Sequence, residues 1–284
     1  MFQYALGRQL AETNKTLLKL DLSSFESDHR KYDLHCFHIQ AYPATSDEIA
    51  DVQGKYGAIE EVTLKITRKL GFRGSALRLA RKGAVVQEKQ FHFDPHVLSV
   101  SKYSYLDGYW QTEQYFPDVR EILRQEFQVK YLQDSKSGSL SDLISRTNSV
   151  AIHIRRGDYA TNSAYHHVHG LCSLDYYHRS TQWMIDKISN PRFFVFSDEP
   201  QWAKENLKLG FPVTIVDHNG GDRSYEDLRL MSQCKHQIIA NSSFSWWAAW
   251  LNNHPQKSVI APLKWFNNAS FNASDLIPTS WLRL

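Results

Sequence analysis

Cysteine is scarce, with three in 284 residues at Cys36, Cys172 and Cys234, and none of them in CxxC spacing. An odd, scattered set of that size argues against a disulfide framework or a zinc site and makes a reducing cytosol the expected compartment. Long apolar runs are also missing. None approaches the ~18 residues that a membrane-spanning helix needs, and the start lacks the basic-then-apolar pattern of a signal peptide. Charge of one sign is wanting too: 33 Lys and Arg against 30 Asp and Glu leave +3, too little to imply nucleic acid by itself. No internal repeat is present.

What remains is an ordinary globular composition, long enough for one large domain or two of usual size. From about Ser149 onward, short apolar runs at 150–154, 192–196, 212–216, 237–240 and 258–261 alternate with amphipathic segments at 174–188, 200–207, 225–232 and 244–251. Strands buried on both faces and separated by helices predict a parallel, doubly wound α/β sheet. Such sheets bind ligands beyond the carboxyl ends of their strands. That rule sets Arg155, Ser197-Asp198, Asp217-His218 and Asn241-Ser242-Ser243 along one crevice. The first half is less regular. A helix is expected over 2–11, strands over 16–22 and 105–110, and a helix over 119–127, while the Gly and Ser content of 134–141 marks a linker.

Two stretches carry chemistry. HIRRGDY (153–159) leaves the end of an apolar strand with two arginines on a tight turn. Its bland explanation is an Arg–Asp pair that stabilises the turn. IIANSSFSWWAAWL (238–251) reads as strand, turn and helix with Ser242 and Ser243 at the helix entrance. A serine there can simply cap the helix, or the entrance can hold an anion with its free N–H groups and dipole. With both stretches on one sheet edge, a phosphate cradle is the better explanation of the pair. Arg155 would then supply the bidentate fork that phosphate rewards.

HIRRGDY, VFSDEPQW, DGYWQTEQYF and YEDLRLMSQCKHQIIANSSFSWWAAWL together resemble the bacterial α-1,2-fucosyltransferases of glycosyltransferase family 11. The resemblance runs essentially from Met1 to Leu284, and its HxRRxDY and SSFSWW segments are specific. It implies an α/β, GT-B-like fold of two nucleotide-fold-like lobes with parallel sheets, an acceptor-side lobe over 1–140 and a GDP-sugar-binding lobe over 141–284. It implies an inverting transfer of L-fucose from GDP-β-L-fucose to the 2-hydroxyl of a galactose in a surface glycan or oligosaccharide. It also implies that His153 and Asp227 face guanine, since a carboxylate accepts both donors on the N1 and N2 edge. Asp227 otherwise reads as an exposed acid early in a helix. In the family, the helix that Met1-Phe2-Gln3-Tyr4-Ala5 resembles follows a strand and a GGxGNQ turn. The first lobe is therefore expected to lack its first strand, with weak or no transfer by this chain.

The chemistry of such a transfer fits these residues. Negative charge builds on the departing diphosphate; without a D-x-D motif anywhere in the chain, fixed cations and dipoles must neutralise it, and no cofactor or metal is expected. Arg155 and the Ser242–Phe244 helix start suit that need. Asp198 ends a strand at the same rim, either touching the nucleotide or capping a turn. Asp158 is expected to orient Arg156 and the turn. Glu113 is a candidate general base, although a late proton transfer needs little help. Tyr109 and Trp110 either stack on an acceptor sugar or belong to an aromatic core.

His166, His167 and His169 lack an acidic or cysteine partner at ligand spacing, so an acceptor-side loop suits them better than a metal. Lys65, Arg68, Lys69, Arg73, Arg78, Arg81 and Lys82 form a run with no acid between them. They make either a solvated helix face or a peripheral contact with the anionic inner leaflet, where a lipid-linked galactose-terminated acceptor would reside. Two other functions stay open: a GDP-sugar transferase of other specificity, and a non-catalytic RNA- or polyanion-binding protein. Against the second stands the absence of RRM-, KH- or OB-type signals.

Overall fold

The structure, a computed structural model, describes residues 1–26, 31–54, 83–268 and 270–284. The basic run within 65–82 lies outside them. The chain divides into two compact units, Met1–His35 with Ile39–Glu126, and Cys36–His38 with Phe127–Leu284.

The first unit opens on α1 (Phe2–Asn14), which buries Phe2, Tyr4, Ala5, Leu6, Leu10 and Ala11 and ends at Lys15 in the left-handed region. Apolar residues at helical spacing supply that buried face. Glu126 anchors the helix: it accepts from the Tyr4 hydroxyl, and Arg8 Nε bonds it at 3.0 Å. β1 (Lys19–Leu20) pairs in parallel with β2 (Tyr42–Pro43), and α2 (Ser46–Gln53) starts on a capping box between Thr45 and Glu48. β3 (Ala84–Gln87) pairs in parallel with β4 (Ser104–Asp107), and α3 (Arg120–Glu126) closes the unit. The expected strands over 16–22 and 105–110 are thus shorter. Trp110 cannot extend β4, because its backbone turns to φ 57°.

The second unit begins with α4 (Ser135–Arg146), where a linker is expected from the sequence. Asp134 caps this helix, accepting from Ser137 N at 2.8 Å, and Ile144 is fully buried. One strong cap and the Leu140, Leu143, Ile144 stripe outweigh the weak helix propensity of its serines and Gly138.

Then follow β5 (Asn148–Ile154), α5 (Gly157–Thr161), α6 (Ser163–His169), α7 (Leu174–Lys187), β6 (Pro191–Ser197), α8 (Pro200–Asn206) and β7 (Val213–Val216). α9 (Ser224–Gln233), β8 (His236–Ile238), α10 (Ser243–Leu251), β9 (Val259–Ala261) and β10 (Leu282–Arg283) complete the unit. All six strands are parallel, in the order β10-β9-β8-β5-β6-β7. The chain builds β5, β6 and β7 in one direction, then returns to add β8, β9 and β10 on the other side. That is the doubly wound order, with its switch point between β5 and β8.

Alternation along the strands separates two faces. Val150, Ile152, Ile154, Phe193 and Val195 pack with Tyr176, Tyr177 and Met184 of α7, with Ala203 of α8 and with Leu207 just after it. Each fully buried side chain of this kind contributes about 1.5–3 kcal/mol, so a charge at Ile152 would break the sheet's centre. The other face carries Ala151, His153, Phe194 and Phe196 beneath the α4, α9 and α10 layer. α10 is apolar all round, burying Trp246, Trp247 and Trp250.

Candidate active site

A cavity of about 420 Å³ opens over the carboxyl ends of β5, β6 and β7. Its size is that of a small-molecule site. The register builds its floor: His153 stands beside Phe196, and Phe196 beside Val216, so one residue from each of three neighbouring strands forms a row on one face. All three line the cavity, with Phe244 at the start of α10 and with Arg155, Asp198 and Asp217 just past the strand ends. Asn219, Gly220, Gly221, Ser224 and Asp227 close it from the β7–α9 side.

Arg155 is held from two directions. Its Nη2 bonds Asp158 at 2.6 Å and its Nη1 lies 3.2 Å from Asp198 Oδ2. The guanidinium also sits 5.4 Å from the Tyr159 ring, which stacks on His169 at 4.5 Å. These contacts use only part of a guanidinium's five N–H donors while fixing its plane. Arg156 is committed elsewhere, with Nε on Glu199 at 3.1 Å and its guanidinium 3.8 Å over Trp202. Asp158 therefore orients Arg155, and the expectation that it orients Arg156 is corrected: the turn sends the two arginines to opposite carboxylates. Asp198 serves both arginines, accepting also from Arg156 N at 2.9 Å. Burial pushes the Asp198 carboxyl up, against the hydrogen bond from Arg156 and the Arg155 charge, which pull it down.

Two more lining groups have shifted protonation. His153 is buried, and burial with the nearby Arg155 charge lowers it to about 3, so its imidazole is neutral at pH 7. Among the described residues its Nδ1 has no hydrogen-bond partner, and its ring lies 5.5 Å from Phe244. Asp227 is pushed up to about 6, chiefly by burial and further by Glu226. Asn219 Nδ2 donates to Asp227 Oδ1 at 2.8 Å and opposes that rise. Asp227 is thus no exposed early-helix acid.

Of four residues expected at the nucleotide, Asn241, Ser242, Ser243 and Phe244, three are placed differently. Ser242 caps α10, accepting from Phe244 N at 3.3 Å, and Ser243 is exposed; neither is among the residues lining the cavity. Asn241 is buried and braces the chain, donating to the carbonyls of His169 at 2.8 Å and Trp265 at 3.2 Å while accepting from Cys172. Phe244 alone of the four reaches the cavity. In the first unit, Glu113 pairs with Arg120 at 3.1 Å, Trp110 is buried against Tyr115, and Tyr109 is exposed. Among the described residues, no three His, Cys, Asp or Glu side chains gather as a metal set. His166 instead bonds the Tyr159 carbonyl at 3.0 Å. None of the described helices is long and apolar enough to cross a membrane.

Sequence reasoning overlooked Asn219, Gly220, Gly221 and Ser224. The signal was DHNGG directly after an apolar strand; Gly221 adopts φ 71°, which favours glycine.

A doubly wound sheet with an arginine turn at one end of its cavity and a half-buried carboxylate in the β7–α9 wall has the layout of a nucleotide-dependent group transferase. The chain belongs to glycosyl transferase family 11, whose model matches residues 84–283. Alpha-1,2-colitosyltransferase of Escherichia coli is 42% identical over 182 residues, 62% of this chain and 61% of that protein. O-antigen biosynthesis glycosyltransferase WbnK of Escherichia coli is 40% identical over 137 residues, 48% of this chain and 45% of that protein. Human galactoside alpha-(1,2)-fucosyltransferase 1 is 28% identical over 51% of this chain and 42% of its own length. The chain thus spans 61% or less of the length of these relatives. Among solved structures, NodZ alpha-1,6-fucosyltransferase soaked with GDP-fucose is similar over 88% of this chain and 87% of that one, at 14% identity and a TM-score of 0.43. That likeness is too slight to carry an argument.

Proposed function

We propose that this chain is an inverting galactoside α-1,2-fucosyltransferase of GT-B architecture, moving L-fucose from GDP-β-L-fucose to the 2-hydroxyl of a galactose-terminated oligosaccharide or lipid-linked glycan. One observation carries the reading: Arg155, fixed by Asp158 and Asp198, and Asp227, half-buried and bonded by Asn219, line one cavity. In the proposed complex, Arg155 takes the diphosphate and stabilises the charge that develops on it as the fucosyl bond breaks. Asp227 accepts from guanine N1 and N2, and neutral His153 with Phe244 packs against the base. The donor needs no metal, since a fixed guanidinium takes the place of a cation held by D-x-D. Attack by the acceptor hydroxyl from the opposite face inverts the sugar, and an oxocarbenium-like state lets the proton leave late. The acceptor belongs to a cytoplasmic face where surface glycans are assembled, as the O-antigen name of one relative suggests.

A second reading is favoured by the first-named relative, a colitosyltransferase. Colitose is L-fucose without its 3-hydroxyl, so the same cavity would serve the same nucleotide with a different sugar. The test is to incubate the chain with GDP-fucose or GDP-colitose and a panel of galactosides, with and without excess EDTA. The expected result is an α-1,2-fucosylated product, even at a low rate, and GDP release that EDTA leaves unchanged. Transfer from GDP-colitose alone would move the donor assignment. Loss of activity in EDTA with recovery on Mg²⁺ or Mn²⁺ would overturn metal independence. Retention on heparin or RNA without GDP affinity would overturn the enzyme reading.

A further inference from the structure

Asn219 is the one uncharged amide on the cavity wall, and it stands in an ordered position. It is buried, its Nδ2 donates to Asp227 Oδ1 at 2.8 Å, and its Oδ1 accepts from the hydroxyl of Ser137 at 3.4 Å. Ser137 is itself fully buried on α4 and contacts His218 Nε2 at 3.2 Å. These partners settle the amide's orientation: a carboxylate has no proton to give at neutral pH, so nitrogen faces Asp227 and oxygen faces the hydroxyl. An amide nitrogen has two protons. One goes to Asp227. The other meets no acceptor among the described residues, and Asn219 lines the cavity.

Along this wall the groups run Nδ2–H of Asn219, Oδ1 of Asp227, Oδ2 of Asp227: donor, acceptor, acceptor. Guanine's pairing edge runs O6, N1–H, N2–H: acceptor, donor, donor. The carboxylate's two oxygens can satisfy N1 and N2 but offer nothing to O6, which would be buried without a donor. Adenine offers a donor where guanine has O6 and an acceptor where guanine has N1–H, so it would meet both side chains wrongly. A site built from buried hydrogen-bonding groups rejects a ligand that leaves those groups unpaired.

We propose that Asn219 is a specificity-determining residue that donates from Nδ2 to guanine O6, completing with Asp227 a three-point readout of the base. The inference rests on the reading that this cavity takes a guanine nucleotide. Ser137 holds the amide in place through its oxygen, which ties α4 to the base-reading wall. The Ser137–Asn219–Asp227 chain explains why a buried asparagine follows the β7 strand end instead of an apolar residue.

The test measures nucleotide binding by the full chain at pH 7.5, without need of transfer activity. GDP is compared with 6-thio-GDP, which keeps N1–H and N2–H₂ but replaces O6 with a larger, weaker acceptor. The unmodified chain should bind GDP about three- to tenfold more tightly than 6-thio-GDP, the scale of one neutral hydrogen bond. Asn219→Ala should bring that ratio close to one, and so should Asn219→Leu, which matches the side chain's shape without setting a second carboxylate against Asp227 and serves if the alanine variant does not fold. Ser243→Ala, exposed and outside the cavity lining, should leave the ratio as it is. The coupling between ligand atom and side chain is what separates contact from general destabilisation. A ratio unchanged in both Asn219 variants, or one abolished equally by Ser243→Ala, overturns the assignment. Asp227→Asn with GDP and IDP keeps the two levels apart. If that variant loses the preference for GDP over IDP while the Asn219 variants keep the thio ratio, this inference alone fails. If it keeps the preference, the guanine-edge reading under Asp227 fails as well.

Discussion

Gly157 and Asp198 are in closest approach: a β-carbon on Gly157 would come within 2.6 Å of Asp198 Oδ2. That oxygen is the one that faces Arg155. The glycine of HIRRGDY therefore makes room for the carboxylate that aims the arginine. Gly157→Ala is expected to leave the fold within about 0.5 kcal/mol, because the crowded atom is a side-chain tip. Transfer should nevertheless fall by about tenfold or more as Asp198 swings away, since catalytic geometry tolerates little displacement. A steady-state assay beside a thermal melt checks both halves.

Arg155→Ala is expected to lower kcat by ~10²-fold or more, the scale for removing one preorganised donor to a developing anion. Arg155→Lys should recover little, because a point charge cannot meet Asp158, Asp198 and a phosphate with one planar fork. A folded alanine variant with near-normal turnover would remove Arg155 from the diphosphate.

Asp227 ties stability and binding to pH with opposite signs. Its carboxyl, pushed from an ordinary 3.8 up to about 6 by burial and by Glu226, with Asn219 and Arg223 opposing, holds its proton more tightly when folded. The folded state therefore loses relative stability as pH rises from 3.8 to about 6, and the cost is constant above that. Asp227→Asn should stabilise the protein at pH 7–8 by up to about 3 kcal/mol and hardly at all near pH 4. GDP affinity of the unmodified chain should instead rise as pH climbs through about 6, because only the ionised carboxylate accepts both guanine donors. Melts and titrations across pH 4–8 read both trends.

Asn241 and Ser243 lie two residues apart and should behave differently. Asn241→Ala strips donors from the carbonyls of His169 and Trp265 and should cost about 2 kcal/mol or more, with a lower Tm. Exposed Ser243→Ala should change the Tm by less than about 0.5 kcal/mol equivalent. Differential scanning calorimetry of the two variants is sufficient.

Much of the second unit was determined by its sequence alone. Continuous apolar runs alternating with amphipathic segments specify strands buried on both faces and helices between them, and those elements stand within two or three residues of where periodicity sets them. HIRRGDY likewise announces its chemistry, because an arginine leaving a buried strand has nowhere to go but the sheet's edge. Tertiary structure decided the rest. Which carboxylate each arginine takes depends on β6 lying beside β5, a neighbour relation 40 or so residues apart in the chain that no local pattern encodes. The same holds for Asn241, which local sequence places at the crevice but which turns inward to donate to two distant carbonyls, those of His169 and Trp265. Ser137 carries no motif, DHNGG marks a turn at Asn219 without saying what its amide meets, and α4 was hidden by its serines and glycine. Their meaning arises only when α4 and the β7–α9 turn meet over the sheet, because a buried hydrogen bond is set by what burial brings together and not by the residues on either side.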